Sequence, residues 1–188
     1  NKANLQDAYA PNSDLSATVL HNTNLRGAYA PNSDLNAAEL DYADLNDADL
    51  AGAKLSNAFI PYANMKNVNL HGAKMYKVII RGSKLTNANL SNADLRAAEL
   101  SKLSYQSNLS GANLSNANLS GAILSDAILS NANMSGANLS NANINFSNLE
   151  GVDLSGANLR GASLLRVNIN ASKLCKTITP WGEDNSGC

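Results

Sequence analysis

The chain is short of almost everything that reaction chemistry uses. Its 188 residues include two histidines, two cysteines, one tryptophan and four prolines, and only 5% are aromatic. Charged residues are 15%, well below the usual quarter. So few histidines and cysteines give little material for a metal centre or an activated nucleophile. The net charge of −1 lacks the basic footprint of a nucleic-acid-binding domain and is far from a strongly acidic mimic of nucleic acid. No apolar run approaches the roughly eighteen residues of a membrane span, so no membrane insertion is expected. The first residue is Asn rather than Met, which reads as a processed or trimmed chain.

What is abundant is a period of five. Every fifth position from Leu5 to Leu100 is Leu, Ala, Ile or Met, twenty in a row. After a slip of one, the series runs from Leu109 to Leu174 for fourteen more. Two residues before each centre stands a small residue, mostly Ala as in Ala43, Ala112 and Ala157. Asn or Asp is commonest between the two.

A helix at 100° per residue scatters such positions around the whole cylinder, so no apolar stripe forms. A plain strand would send successive pairs to opposite faces. The conflict disappears if the chain turns a corner after every centre. The two residues following the centre are then the middle of a β-turn. From 111 to 161 the second of them is Gly, Asn or Asp at ten of eleven positions, Phe146 being the exception, and those residues best tolerate the positive φ of a type II turn. Pro11, Pro31 and Pro61 fall on the first turn position, where a fixed φ suits.

The segment Ala-Tyr-Ala-Pro-Asn-Ser-Asp-Leu at 8–15 recurs at 28–35, and Tyr42 and Tyr62 share a turn position at the same spacing. Twenty residues is four repeats, so each coil is roughly square. Coils stacked at the inter-strand distance make a rod of about 43 Å, stabilised by neighbour stacking along its axis.

These residues resemble the pentapeptide-repeat family, whose pattern is small, Asn/Asp, Leu/Phe and two free positions. The resemblance covers residues 1 to about 177. It implies an all-β fold, a right-handed quadrilateral β-helix of about nine coils of 20 residues. The family is common in cyanobacteria and plastids, and most of its members have no assigned activity. One branch, the quinolone-resistance proteins, is thought to mimic DNA and bind gyrase. Here no centre is Phe and the net charge is near zero.

Two irregularities interrupt the pattern. Nine residues separate Leu100 from Leu109 instead of ten. This reads as a one-residue deletion near 101–107 that shortens one turn, with an oversized Leu103 at an inward position: a local bulge or, less simply, a marked binding face. The repeat then ends, giving a β-helix over 1–177 and a capping tail over 178–188. We expect the tail to fold over the last coil with Trp181 covering its apolar interior. It resembles the closing segment of cyanobacterial family members, with Cys, a Pro-containing turn and a final Cys. Cys175 and Cys188 are therefore read as a disulfide, which implies an oxidising compartment such as a bacterial periplasm or thylakoid lumen. The alternative is two free thiols and a cytoplasmic protein. No matching cap is expected at Asn1, which leaves self-association through that end open.

No catalytic, metal or cofactor-binding residues are assigned. His21 and His71 lie two and a half coils apart, so they cannot share a metal. Asp14 and Asp34 should stack about 5 Å apart, where a carboxylate pair can raise a pKa, against the plainer reading of two solvated charges. Charge is blocked along the chain: residues 1–50 carry −6 and residues 51–102 carry +6. Folding by twenties brings Lys54, Lys74, Tyr76, Lys77 and Arg96 onto one face, a possible partner-binding face. The expectation is a non-catalytic scaffold with flat faces for a protein partner, without nucleic acid. A DNA-mimicking, gyrase-binding protein is the alternative.

Overall fold

The computed structural model of the chain describes residues 3–101 and 104–188. Leu103, expected to be an oversized inward residue, lies outside the described residues. The backbone coils with a twenty-residue period. Asn4 pairs with Asn24, Tyr9 with Tyr29, Asp14 with Asp34 and Val19 with Glu39, all in parallel. Continued coil by coil, these pairs form four ladders, referred to below as the first to the fourth in that order.

Each repeat is held by four backbone hydrogen bonds, one of them from the second corner residue to the next coil, as from the Gly27 N–H to the Asn46 carbonyl at 2.9 Å. The N–H of centre Leu25 donates to the next coil at the Asp44 carbonyl, 2.7 Å, and the Asp44 N–H returns to Thr23 at 2.9 Å. The Ala28 N–H closes the corner on the Leu25 carbonyl at 3.0 Å. The second corner residue has positive φ throughout 7–97, including Ala17 (52°), Tyr42 (58°) and Lys77 (55°). The first corner residue does not, and this combination is the type II turn. Non-glycine residues accept this strain because backbone bonds above and below over-determine the corner.

The frequent Asn or Asp before each centre also has a reason. Its side chain accepts the N–H of the first corner residue, as from Ser110 to Asn108 Oδ1 at 3.0 Å. The inward positions form one apolar column in which Leu40, Leu55, Leu85, Leu119 and the small residues between them are fully buried. The inward hydroxyls of Ser83 and Ser147 are satisfied by the carbonyls of Ile60 at 2.7 Å and Leu124 at 2.8 Å, whereas the buried Ser13 hydroxyl has no partner among the described residues.

The structure corrects the reading of the 101–107 irregularity. Lys84 pairs with Asn108 and Glu99 with Ile123, so the ladder spacing is 24 there rather than 20. The corner after Leu100 is lengthened by four residues, not shortened by one. A repeat lacking a residue would throw its centre out of the column. The longer connection instead lets Leu109 settle above Leu85, with Ser107 fully buried in the small inward place.

At the C-terminal end the column closes through a 3-10 turn, Ile169–Ala171, and an antiparallel hairpin of β1 (Thr177–Thr179) and β2 (Gly182–Asp184). β1 continues the third ladder, pairing Ile178 with Asn158. The lid is not Trp181, which stands at the hairpin tip with 64% of its surface exposed. Backbone does the covering instead. The Gly187 N–H donates to the Leu174 carbonyl at 2.8 Å, and any Cβ on Gly187 would lie 2.5 Å from the Leu174 nitrogen. Thr179, in a centre position, remains buried because its hydroxyl donates to the Gly182 carbonyl at 2.6 Å.

Candidate functional site

Outward residues of the third ladder form the charged strip Asp14, Asp34, Lys54, Lys74, Asp94, one per coil. The following corner adds Tyr76 and Lys77, with Arg96 one coil above Tyr76. The five residues expected on one face are thus neighbours, all of them exposed. Lys77 Nζ lies 5.2 Å and Arg96 Cζ 5.6 Å from the centre of the Tyr76 ring, so two cations flank one aromatic face.

Their charges are not equally available. Lys54 donates to Asp34 Oδ2 at 3.1 Å. Arg96 grips Asp94 with Nε at 2.8 Å and a terminal nitrogen at 2.7 Å. Lys74 and Lys77 form no ion pair among the described residues. The sequence located the cations but missed this internal neutralisation, although the twenty-residue spacing of Asp34 and Lys54 signals the first pair.

In the stacked acids the repulsion of Asp14 on Asp34 is outweighed by local hydrogen bonds and Lys54. Asp14 is held below the usual carboxylate range by the Ser16 hydroxyl and N–H, and Asp34 by the Asn36 N–H and then Lys54. Hydrogen bonds from Arg96 hold Asp94 low as well. Carboxyls depressed by native contacts stabilise the fold above the unfolded-state value of 3.8, and that contribution disappears as pH falls through the lower native value. The thermal midpoint should therefore be nearly flat from neutrality to about pH 4 and fall below it. A midpoint that rises on acidification would contradict these assignments.

The two histidines occupy different corners. His21 contacts Asp41, with Nε2 3.0 Å from Glu39, whereas His71 pairs with the Ser91 hydroxyl at 2.9 Å. Among the described residues no group of three His, Cys, Asp or Glu side chains could hold a metal ion. No helix in them is long and apolar enough to cross a membrane. Cys175 and Cys188 form a disulfide with Cα atoms 4.7 Å apart, joining the corner that follows the second ladder to the end of the tail.

Comparison with known proteins matches this geometry to a family. The profile of the pentapeptide repeats (8 copies) matches residues 1–36, 19–57, 48–87, 73–103, 107–145 and 137–175. The chain belongs to the pentapeptide-repeat family. Among solved structures it is similar to HetL, a pentapeptide-repeat protein involved in heterocyst differentiation regulation from the cyanobacterium Nostoc sp.. The two are 29% identical over 96% of this chain and 91% of HetL, with a TM-score of 0.50. QnrB1, a plasmid-mediated fluoroquinolone resistance protein, is 15% identical over 91% of this chain and 94% of its own, with a TM-score of 0.58. That second likeness is one of fold. No curated protein sequence is significantly similar to the chain. A pentapeptide-repeat chain whose side chains are assigned so completely to column, corner and ladder leaves its outward ladder residues as the surface on which function can be written.

Proposed function

We propose that this pentapeptide-repeat protein is a non-catalytic scaffold whose third ladder presents a cationic, aromatic strip to an acidic segment of a protein partner. Its coils wind right-handed into a four-sided β-helix of about nine turns, with residues 1–177 as the rod and 178–188 as its capping tail. The observation carrying the functional reading is Tyr76 flanked by Lys77 and Arg96 beside the unpaired Lys74. An aromatic ring with cations at its faces is a usual anchor of recognition surfaces. The disulfide supports an oxidising compartment, such as a periplasm or thylakoid lumen. Charge blocks of opposite sign further along the rod would orient the partner during encounter.

Changing Lys54, Lys74, Lys77 and Arg96 together to Glu tests the reading. All four side chains are exposed, and exposed ion pairs such as Lys54 with Asp34 contribute about 0–1 kcal/mol, so folding should survive. Proteins captured from a source-cell extract by the wild type should be lost with the variant. An unchanged set of captured proteins would reduce the strip to solvated surface. Dose-dependent inhibition or protection of gyrase supercoiling would instead favour the DNA-mimic alternative.

A further inference from the structure

The lengthened corner builds a second surface, on the first ladder and therefore on the side of the rod away from the cationic strip. A groove of about 630 Å³ opens beside it. One wall is aromatic. Tyr42 and Tyr62 occupy the same corner position in successive coils, with ring centres 5.1 Å apart and planes within 20°. The next position in that column is Gly82. A Cβ there would stand 2.9 Å from the Tyr62 ring and 3.3 Å from the Tyr105 carbonyl. Its absence lets the Tyr62 ring and the returning corner share the space. Tyr105 then meets Tyr62 edge to face at 6.3 Å and 90°. The returning chain is pinned where it re-enters the column, for the Ser107 hydroxyl accepts the Gly82 N–H at 3.0 Å and donates to the Ile80 carbonyl at 3.3 Å.

The fold does not need this wall to be exposed. Tyr105 has 70% and Tyr42 57% of its surface open to solvent, in a chain with very few aromatic residues. The floor is the stretch Lys84, Asn108, Ile128 of the first ladder. Among the described residues no carboxylate lines the groove, and Lys84 has no ion-pair partner. Asn108 spends its Oδ1 on the Ser110 N–H and hydroxyl at 3.0 and 2.7 Å, so what it has left to offer is its NH₂. The groove thus combines ring faces with hydrogen-bond donors and one cation. Its complement is a carboxylate beside an apolar or aromatic side chain.

The shape favours a chain over a compact small molecule. The groove is open-sided and follows the rod axis, and its three floor residues span about 10 Å at one coil each, the length of roughly three extended residues. We infer that this groove is a docking site for an extended segment of a partner protein, one that places an Asp or Glu on Lys84 and an apolar or aromatic residue against Tyr62 and Tyr105. Tyrosine-rich walls beside one unpaired cation concentrate binding energy in few residues once a partner covers them, so single substitutions should be felt.

Selection of random displayed peptides against the intact, disulfide-bonded chain tests this and requires no identified partner. Enriched peptides should carry an acidic residue close to a ring or large apolar residue. In fluorescence anisotropy, Lys84→Glu and Tyr105→Ala should each weaken their binding by about tenfold or more, while Tyr105→Phe retains it. Arg160→Glu, an exposed charge in a corner remote from the groove, should leave it unchanged. Lys84 and Tyr105 are exposed, so equal thermal midpoints would show that the variants are folded. Enrichment of peptides without that pairing, or undiminished binding by both groove variants, would overturn the assignment. The result is independent of the third-ladder strip, because none of these substitutions touches it.

Discussion

Replacing Leu119 with Ala should lower the unfolding free energy by about 2–5 kcal/mol, the range for a truncated core Leu whose site cannot collapse. Leu119 is fully buried at mid-rod. Its coil is tied on both sides, since the Leu95 N–H donates to Asn118 at 2.7 Å and the Leu119 N–H donates to Asn138 at 2.7 Å. Neighbouring coils held by such ladders cannot move inward to fill the space of the lost carbons. Leu5→Ala is the matched control, because Leu5 is already 37% exposed and should lose far less. Chemical denaturation gives the magnitude. Hydrogen exchange gives the location, since a stack of repeats distributes its stability between nearest neighbours. Amides of the coils around Leu95, Leu119 and Leu139 should exchange faster, while those near Leu40 keep their protection. A loss under about 1 kcal/mol would mean that the column is not tightly packed.

The rule that makes Leu119 so costly to truncate was legible in the sequence because it is written in a single period. Only a corner after each centre reconciles Ala117 and Leu119 pointing inward with Ala122 and Leu124 doing the same. The twenty-residue return of Tyr9 at Tyr29 then sets the coil, and the structure pairs those two residues, with their rings stacked 5.2 Å apart. Folding by twenties also stacks Lys54 on Lys74 and Tyr76 below Arg96, and the structure pairs the first two and sets the Arg96 guanidinium 5.6 Å from the Tyr76 ring centre. The spacing could not show that Arg96 turns back on Asp94, which is a matter of side-chain conformation two residues away.

The groove was hidden for a different reason. Nine residues between centres fit either two sides less one residue or one side plus four, and sequence spacing alone does not choose. Vertical register chooses, because only the longer corner keeps Leu109 above Leu85 and Asn108 beside Lys84. With the shorter corner assumed, Tyr105 falls two residues after the inward Leu103, at a centre position. With the longer one it becomes the free edge of an aromatic wall. Trp181 shows the opposite error. A large apolar residue past the last repeat suggests a plug, but the tight hairpin between Thr179 and Gly182 turns it outward, and close backbone packing at Gly187 takes over its expected work.

That division of labour makes the tail depend on its disulfide. Beyond β2 the chain is held by the Gly187 N–H on Leu174, by the Lys176 N–H on Asn185 Oδ1 at 2.8 Å, and by the bond from Cys188 to Cys175, thirteen residues away. No buried side chain anchors the segment after Asp184. Closing a loop of this size stabilises by about 3 kcal/mol in the chain-entropy model, more than the two hydrogen bonds together are worth. Reduction, or Cys188→Ser, should therefore release residues 185–188 first. Hydrogen exchange at Lys176 and Gly187 should accelerate by about two orders of magnitude, with the mid-rod coils unaffected. Release exposes the carbonyl edge of the Leu174 coil, and an exposed edge of paired backbone promotes association, so the reduced protein should show a concentration-dependent increase in size by light scattering. If exchange at Gly187 is unchanged after reduction, the hairpin alone secures the end and the disulfide is not its clasp. Alkylation of both thiols without added reductant would remove the bond itself, and with it the physical argument for an oxidising compartment.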